Sequence, residues 1–180
     1  VIMIGEIRDR ETCQIAMQAA LTGHLVFSTV HTNDAPSAFT RLLDLGVEEF
    51  LLNAALLAII AQRLARQLCG HCAVPVTDPE GLFAEYNLAK LVQRFHLKDW
   101  RLMAAVGCDV CANTGYIGRL AVIEYLRCDD QLRAIPKDDQ FLINAKDCNR
   151  SRGGRDLLED GLLKALQGKT TIEEIFRVCG

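Results

Sequence analysis

The sequence predicts an α/β fold with a cysteine-paired insert and a helical tail. Three observations predict it. A strand, a helix and a second strand fit within about thirty residues at the start, the size of a parallel βαβ unit with a right-handed crossover. Two C-x-x-C pairs stand in a middle stretch set off by Gly70, Pro75 and Pro79. The last third reads as short helices broken at Pro136 and at Gly153-Gly154. The expected division is therefore a partial α/β core over residues 1–68, a four-cysteine subdomain with its return strand over 69–126, and a helical region over 127–180.

Val1-Ile2-Met3-Ile4 is an apolar run of the kind that forms a strand buried on both faces. Polarity rises at Gly5-Glu6-Ile7-Arg8-Asp9, and Asp9 is placed to cap a helix over Arg10 to Leu21, rich in Ala, Met and Gln. Gly23 suits the left-handed residue after that helix, and Leu25 to Val30 forms the second strand. Asp34, with Pro36 in the first turn, caps a helix that Gly46 ends. From Glu48 to about Leu68 the apolar density predicts a largely buried helix, with Arg63 and Arg66 three apart on it, facing a neighbouring subunit, a nucleotide or solvent. Asn87 to Phe95 is a further helix, and Leu120 to Leu126 a strand. Thr171 and Glu174 have capping-box spacing ahead of a last short helix.

The chain has 180 residues, 20 basic and 23 acidic groups, and a formal charge of −3. Its apolar half and 24% charged residues exclude collagenous and disordered classes. Residues 1–68 carry 5 basic and 7 acidic groups, 69–126 carry 5 and 6, and 127–180 carry 10 and 10, so no segment is a basic arm for nucleic acid. The longest apolar stretch, Phe50 to Ala61, is broken by Asn53 and too short to span a bilayer. The chain opens with Val1 inside an apolar run, with no signal peptide ahead of it, as a fragment of a longer protein would.

In a parallel sheet, ligands sit beyond the carboxyl ends of the strands. Glu6 follows the first strand and His31 the second, so parallel strands bring both to one edge. A carboxylate there suits water activation or a magnesium shell, and an imidazole beside it can sense a γ-phosphate. The plainer reading pairs Glu6 with Arg8 or another arginine in a structural network and leaves His31 a satisfied loop histidine. His24 begins the second strand, about 23 Å from His31 if that strand is extended, and is read as structural.

Cys69-Gly70-His71-Cys72 and Cys108-Asp109-Val110-Cys111 are two knuckles whose spacing lets both sulfurs of each pair reach one tetrahedral ion. Paired knuckles are a strong zinc signal. Four thiolates leave no open position for water, so the zinc is structural, with Cys69, Cys72, Cys108 and Cys111 as ligands and His71 as a rival fourth. Free thiols are the alternative, and disulfides are not expected in a cytosolic domain. The 35 residues between the knuckles exceed ribbon spacing and must form structure of their own. Cys13 reads as a small buried hydrophobe, while Cys128, Cys148 and Cys179 suggest no chemistry. Trp100 and Tyr116 are read as packing residues of the subdomain.

Val1 to Asp9 resembles the Walker B segment of the bacterial secretion ATPase superfamily, Thr22 to Ala35 its histidine box, and Ala61-Gln62-Arg63-Leu64 a further family stretch. Thr114-Gly115-Tyr116-Ile117-Gly118-Arg119 after the second knuckle resembles the type II secretion and type IV pilus assembly classes, which carry four cysteines that pilus-retraction and type IV secretion relatives lack. The resemblance implies the C-terminal half of a RecA-like P-loop ATPase domain. It implies Glu6 as the catalytic carboxylate, and His31, Arg8, Asp9 and Thr29 as nucleotide-binding or sensing residues. Gly5 stands where many phosphate-loop enzymes have a magnesium-directed Asp. Further implications are ATP and Mg2+ as cofactors of the full-length protein, a homo-hexamer, and a cytoplasmic location held at the inner membrane through a platform protein. No G-x-x-x-x-G-K-[ST] occurs in the 180 residues, and the family's acidic box and N-terminal arginines are also missing. The isolated chain is therefore expected neither to bind ATP tightly nor to hydrolyse it, and a non-enzymatic zinc module is the rival reading. A zinc-ribbon nucleic-acid binder ranks third, for want of a basic face.

Overall fold

The computed structural model describes residues 1–180. In chain order the elements are β1 (Ile2–Met3), α1 (Arg10–Leu21), β2 (Val26–Phe27), α2 (Ala35–Asp44), α3 (Glu49–Ala55), β3 (Ala58–Leu68), β4 (Val74–Pro75), α4 (Pro79–Glu85), α5 (Leu88–Arg94), β5 (Met103–Ala104), β6 (Tyr116–Arg127), α6 (Asp130–Arg133), α7 (Phe141–Ser151), α8 (Leu157–Leu166) and α9 (Ile172–Cys179). A short 3-10 turn covers Asp109–Cys111. The chain divides into two compact units, and neither is continuous in sequence. Unit 1 is Val1–Ala61 with Glu124–Asp156, and unit 2 is Gln62–Ile123 with Leu157–Gly180.

Unit 1 opens with the predicted βαβ motif. β1 and β2 pair in parallel, Ile2 opposite Val26 and Met3 opposite Phe27. Flanking amides extend the ladder: Ile4 N donates to Phe27 O at 2.8 Å and Ile7 N to Thr29 O at 2.9 Å. The connecting α1 starts where the Asp9 carboxylate accepts from Thr12 N at 2.8 Å, satisfying one of the free first-turn amides. Gly23 at φ +95° then turns the chain back, a conformation that a Cβ would oppose. The stripe Cys13, Ala16, Met17 faces the core at helical spacing. α2 contributes Phe39, whose ring meets Phe141 of α7 at 5.2 Å. Leu52, Leu126 and Leu132 close the same cluster. Each such buried side chain contributes roughly 1.5–3 kcal/mol.

Two expectations fail here. Val1 to Ile4 is not buried on both faces: Met3 is 82% and Phe27 52% exposed, because nothing in the 180 residues covers that side of the two-stranded ladder. The long helix after Glu48 ends at Ala55, and Ala58 to Leu68 is a strand. Ala, Leu, Gln and Arg favour a helix locally, but the segment pairs with β6. In unit 1, Cys128 N donates to Leu57 O at 3.0 Å, and in unit 2, Cys69 N donates to Gly115 O at 2.9 Å, so the start of one strand meets the end of the other. On a strand, residues three apart point to opposite faces, so Arg63 and Arg66 do not share one.

Unit 2 holds a carboxylate between two guanidinium groups. The Glu174 side chain is fully buried, as the N3 residue of α9 behind the predicted Thr171 cap. It accepts from Arg66 N at 2.8 Å, Arg66 Nη2 at 2.7 Å and Arg177 Nη2 at 2.6 Å. Arg66 also lies 4.1 Å over the Tyr116 ring, whose hydroxyl meets Thr171 Oγ1 at 3.1 Å. The stretch between the knuckles is filled by β4 and β5, paired antiparallel, and by α4 and α5, with Trp100 stacked on Phe83 at 4.6 Å. The helix expected over Asn87 to Phe95 is α5.

Candidate functional site

Each unit carries one cluster of chemistry-bearing side chains. In unit 1 the cluster sits past the carboxyl ends of β1 and β2, as parallel pairing requires. His31 Nε2 lies 3.0 Å from Glu6 Oε2, across 25 residues of sequence. Arg8 Nη2 reaches the other oxygen of Glu6 at 2.5 Å. The hydrogen bond and charge of Arg8 outweigh partial desolvation, and with His31 they hold the Glu6 carboxyl below its ordinary range. Glu6 is thus ionised at neutral pH and acts as a hydrogen-bond acceptor. Its side chain is 31% exposed and that of His31 86%, so both stand open to a ligand.

The other expected residues of this edge hold the backbone. Thr29 Oγ1 donates to Gly5 O at 2.7 Å, tying the two strand ends directly beneath Glu6. Asp9 caps α1 and accepts also from Thr12 Oγ1 at 3.0 Å. His24 bonds instead at the end of α1, with Nδ1 3.2 Å from Ala19 O.

In unit 2 the four knuckle cysteines converge, their sulfurs all within 4.8 Å of one another. Cys69 to Cys108 measures 3.9 Å, Cys72 to Cys111 3.8 Å, and Cys108 to Cys111 3.8 Å. Four sulfurs about 2.3 Å from one tetrahedral ion stand about 3.8 Å apart. The donor set fits a metal ion. Backbone amides point at the sulfurs, from Gly107 to Cys72 at 3.3 Å and from Cys108 and Gly115 to Cys111 at 3.2 Å. Gly115, at φ +78°, admits no side chain, since a Cβ would lie 2.7 Å from that of Ala105. Burial resists ionisation at Cys111, but the two amide donors overcome it and bring the thiol down to about 6. Burial and the neighbouring sulfurs push Cys72 up to about 11. The crowded sulfurs favour one thiolate and oppose the next, and a central cation removes that opposition. His71 is exposed and outside the cluster.

Residues 1–177 match the family model described as type II/IV secretion system protein. The chain belongs to this family. The type IV pilus assembly ATPase PilB of Thermus thermophilus is 47% identical over 177 residues, covering 97% of this chain and 19% of that protein. The type II secretion system protein HxcR of Pseudomonas aeruginosa is 46% identical, covering 99% and 33%. Type II secretion system protein E of Aeromonas hydrophila is 42% identical, covering 99% and 34%. The chain thus spans a fifth to a third of the length of these relatives. The solved pilus retraction motor PilT with bound ADP superimposes with a TM-score of 0.60 at 22% identity, covering 98% of this chain and 38% of that one. The ATPase DotB of Legionella pneumophila gives 0.61 at 20%, covering 98% and 37%. At these identities the likeness establishes the fold alone, a RecA-like α/β fold. No helix is long and apolar enough to cross a membrane.

Three charged groups with specific partners were not singled out from the sequence. Glu124 is 2% exposed and accepts from Ala35 N at 2.9 Å. Burial pushes its carboxyl up from the ordinary range, despite that hydrogen bond. Lys146 Nζ binds Asp34 Oδ2 at 2.7 Å. Lys137, its side chain 4% exposed, donates to Arg133 O at 3.1 Å beyond the end of α6. Glu124 had a legible signal: alternation puts it in one row with Val122 and Leu126, both buried. The two lysines had none, since their partners are remote or backbone.

Proposed function

We propose that this chain is the C-terminal part of a hexameric ATPase that powers pseudopilus assembly in type II secretion, coupled to an inner-membrane platform protein. The observation that carries this reading is the 3.0 Å pairing of Glu6 with His31 beyond two parallel strand ends. ATP would supply the γ-phosphoryl group, and a bound Mg2+ would screen its charge. Glu6, kept ionised by Arg8, accepts a hydrogen bond from the attacking water and orients it. His31 shares the Glu6 carboxylate and so links its position to the γ-phosphate side of the site. Arg8, Asp9 and Thr29 complete the nucleotide-facing edge, Asp9 and Thr29 by holding the backbone that carries Glu6. The protein works in the cytoplasm, at the inner membrane through its partner and without nucleic acid.

The four cysteines hold a structural zinc ion, supported by the tetrahedral sulfur spacing and the amide donors. Type IV pilus assembly is the second reading, favoured by the PilB relative at 47% identity. A catalytically dead zinc-containing remnant is the third. On the main reading the isolated chain neither binds ATP tightly nor turns it over.

The test is ATP turnover by a full-length protein carrying this segment and by the chain alone. Glu6→Gln in the full-length protein lowers kcat by about 10²–10⁴. Unchanged turnover in that variant overturns the role of Glu6. Turnover by the 180 residues alone, abolished by Glu6→Gln, overturns the expected inactivity.

A further inference from the structure

The loop that carries His31 is held at both ends. Upstream, Thr29 is fixed to the β1 side by Ile7 N donating to its carbonyl at 2.9 Å and by its own hydroxyl donating to Gly5 O at 2.7 Å. Downstream, the first turn of α2 has two carboxylates on its free amides. Asp34 Oδ1 accepts from Ser37 N at 2.9 Å, the ordinary cap. Glu124 Oε2 accepts from Ala35 N at 2.9 Å, across 89 residues. The helix N-terminus favours both negative charges.

Further contacts make the downstream anchor rigid. Lys146 of α7 holds the second oxygen of Asp34 at 2.7 Å. Asn149, one turn on, donates from its amide to Tyr125 O at 3.1 Å, tying α7 to β6 beside Glu124. Thr32 Oγ1 donates to Asp34 O at 3.1 Å inside the loop. Between the two anchors lie Val30 to Asn33 alone, so the backbone freedom left at His31 is small.

A Glu in this row is not needed for packing. Its neighbours Val122 and Leu126 are apolar and buried, and an apolar residue between them would avoid the desolvation of a carboxylate. What the carboxylate adds is a fixed acceptor for one amide, that of Ala35, four residues after His31.

We propose that Glu124 is a positioning residue for the Glu6–His31 pair: with Lys146 acting through Asp34, it clamps the start of α2 and thereby sets the His31 ring against the Glu6 carboxylate. This rests on the reading of Glu6 and His31 as the working pair, but its test does not need hydrolysis.

The readouts are amide hydrogen exchange at Ala35 and the ring 15N shifts of His31 in the 180-residue chain, each referred to the Glu6→Gln chain, where the pair is changed directly. In Glu124→Ala, Ala35 exchanges about tenfold faster or more, as loss of a hydrogen bond to a charged group requires, and the His31 ring signals move toward those of Glu6→Gln. Glu124→Gln keeps an acceptor oxygen and restores most of both. Lys146→Met shifts the His31 signals in the same direction with a smaller gain in Ala35 exchange. If Glu124→Ala unfolds unit 1, Glu124→Gln and Lys146→Met decide by the same signals. Faster Ala35 exchange with unmoved His31 signals in these variants overturns the positioning role. Coupled signals in the chain, with full-length turnover indifferent to Glu6→Gln and to Glu124→Gln, instead overturn the catalytic reading and leave the clamp standing.

Discussion

The four thiols of unit 2 and the acid–imidazole pair of unit 1 differ first in how much of their surroundings they supply themselves. The thiols sit within 4.8 Å of one another, with backbone amides as their outer partners, at a spacing that could hold one ion. Glu6 and His31 stand in solvent, their only mutual link a 3.0 Å contact, and their place is set by strand ends and helix caps further away. The first cluster is closed and suits a structural role. The second is open and can meet a ligand. A site suited to hold an ion shields its donors, whereas a site suited to act leaves its polar groups accessible and puts the rigidity beneath them.

That contrast can be broken most directly at the metal. Sites of four thiolates contribute on the order of 10–16 kcal/mol of apparent binding free energy to folding, so chelation or Cys111→Ser melts the knuckle region of unit 2. Native mass spectrometry follows the metal, and near-UV circular dichroism follows Trp100 in that unit. The His31 ring signals of unit 1 stay where they were. A change at His31 on chelation would mean that the two clusters are not independent.

A smaller effect belongs to Glu174. Glu174 is buried but its partners Arg66 and Arg177 are about half exposed, so Glu174→Ala lowers the unfolding free energy of unit 2 by about 1.5–3 kcal/mol, read from denaturant melts. Hydrogen bonds from Arg177 outweigh burial and, with those from Arg66, bring the Glu174 carboxyl down to about 2 from 4.5. A carboxyl depressed in the folded state gives stability that is complete above its unfolded value. Unit 2 therefore loses this contribution as pH falls from about 4.5 toward 2, and Glu174→Gln flattens the acid limb of the melt.

Lys137→Met ranks next. Its amine answers carbonyls at the end of α6, and leaving these unpaired costs roughly 1–3 kcal/mol in unit 1. The smallest change is expected from Glu6→Gln, which leaves the unfolding midpoint of the chain unaltered because the side chain is accessible and its pairings are with water-exposed groups. A large loss of stability in that variant would erase the contrast, making Glu6 part of the framework.

Much of this was readable from local pattern. The Asp9 and Asp34 caps, the α1 boundaries and the left-handed Gly23 follow from the side chains that satisfy or terminate a helix. The convergence of Glu6 and His31 followed from one further step, the parallel sense of two strands joined by a helix. Where local pattern misled, a distant partner decided. Ala58 to Leu68 has helix-forming residues and pairs as a strand, and Arg66 left its supposed helical face for Glu174, 108 residues away.

The α/β class, the two knuckles and the edge at which an acid and an imidazole emerge were set by local pattern, because each depends on periodicity, capping or ligand spacing within a few tens of residues. It took the folded chain to show that β3 is a strand, that each compact unit is assembled from two separate stretches of chain, and that Glu124 and Lys146 meet the start of α2. Those features rest on hydrogen bonds and charges between residues far apart in the chain, and the energy of such a contact is written in neither residue alone.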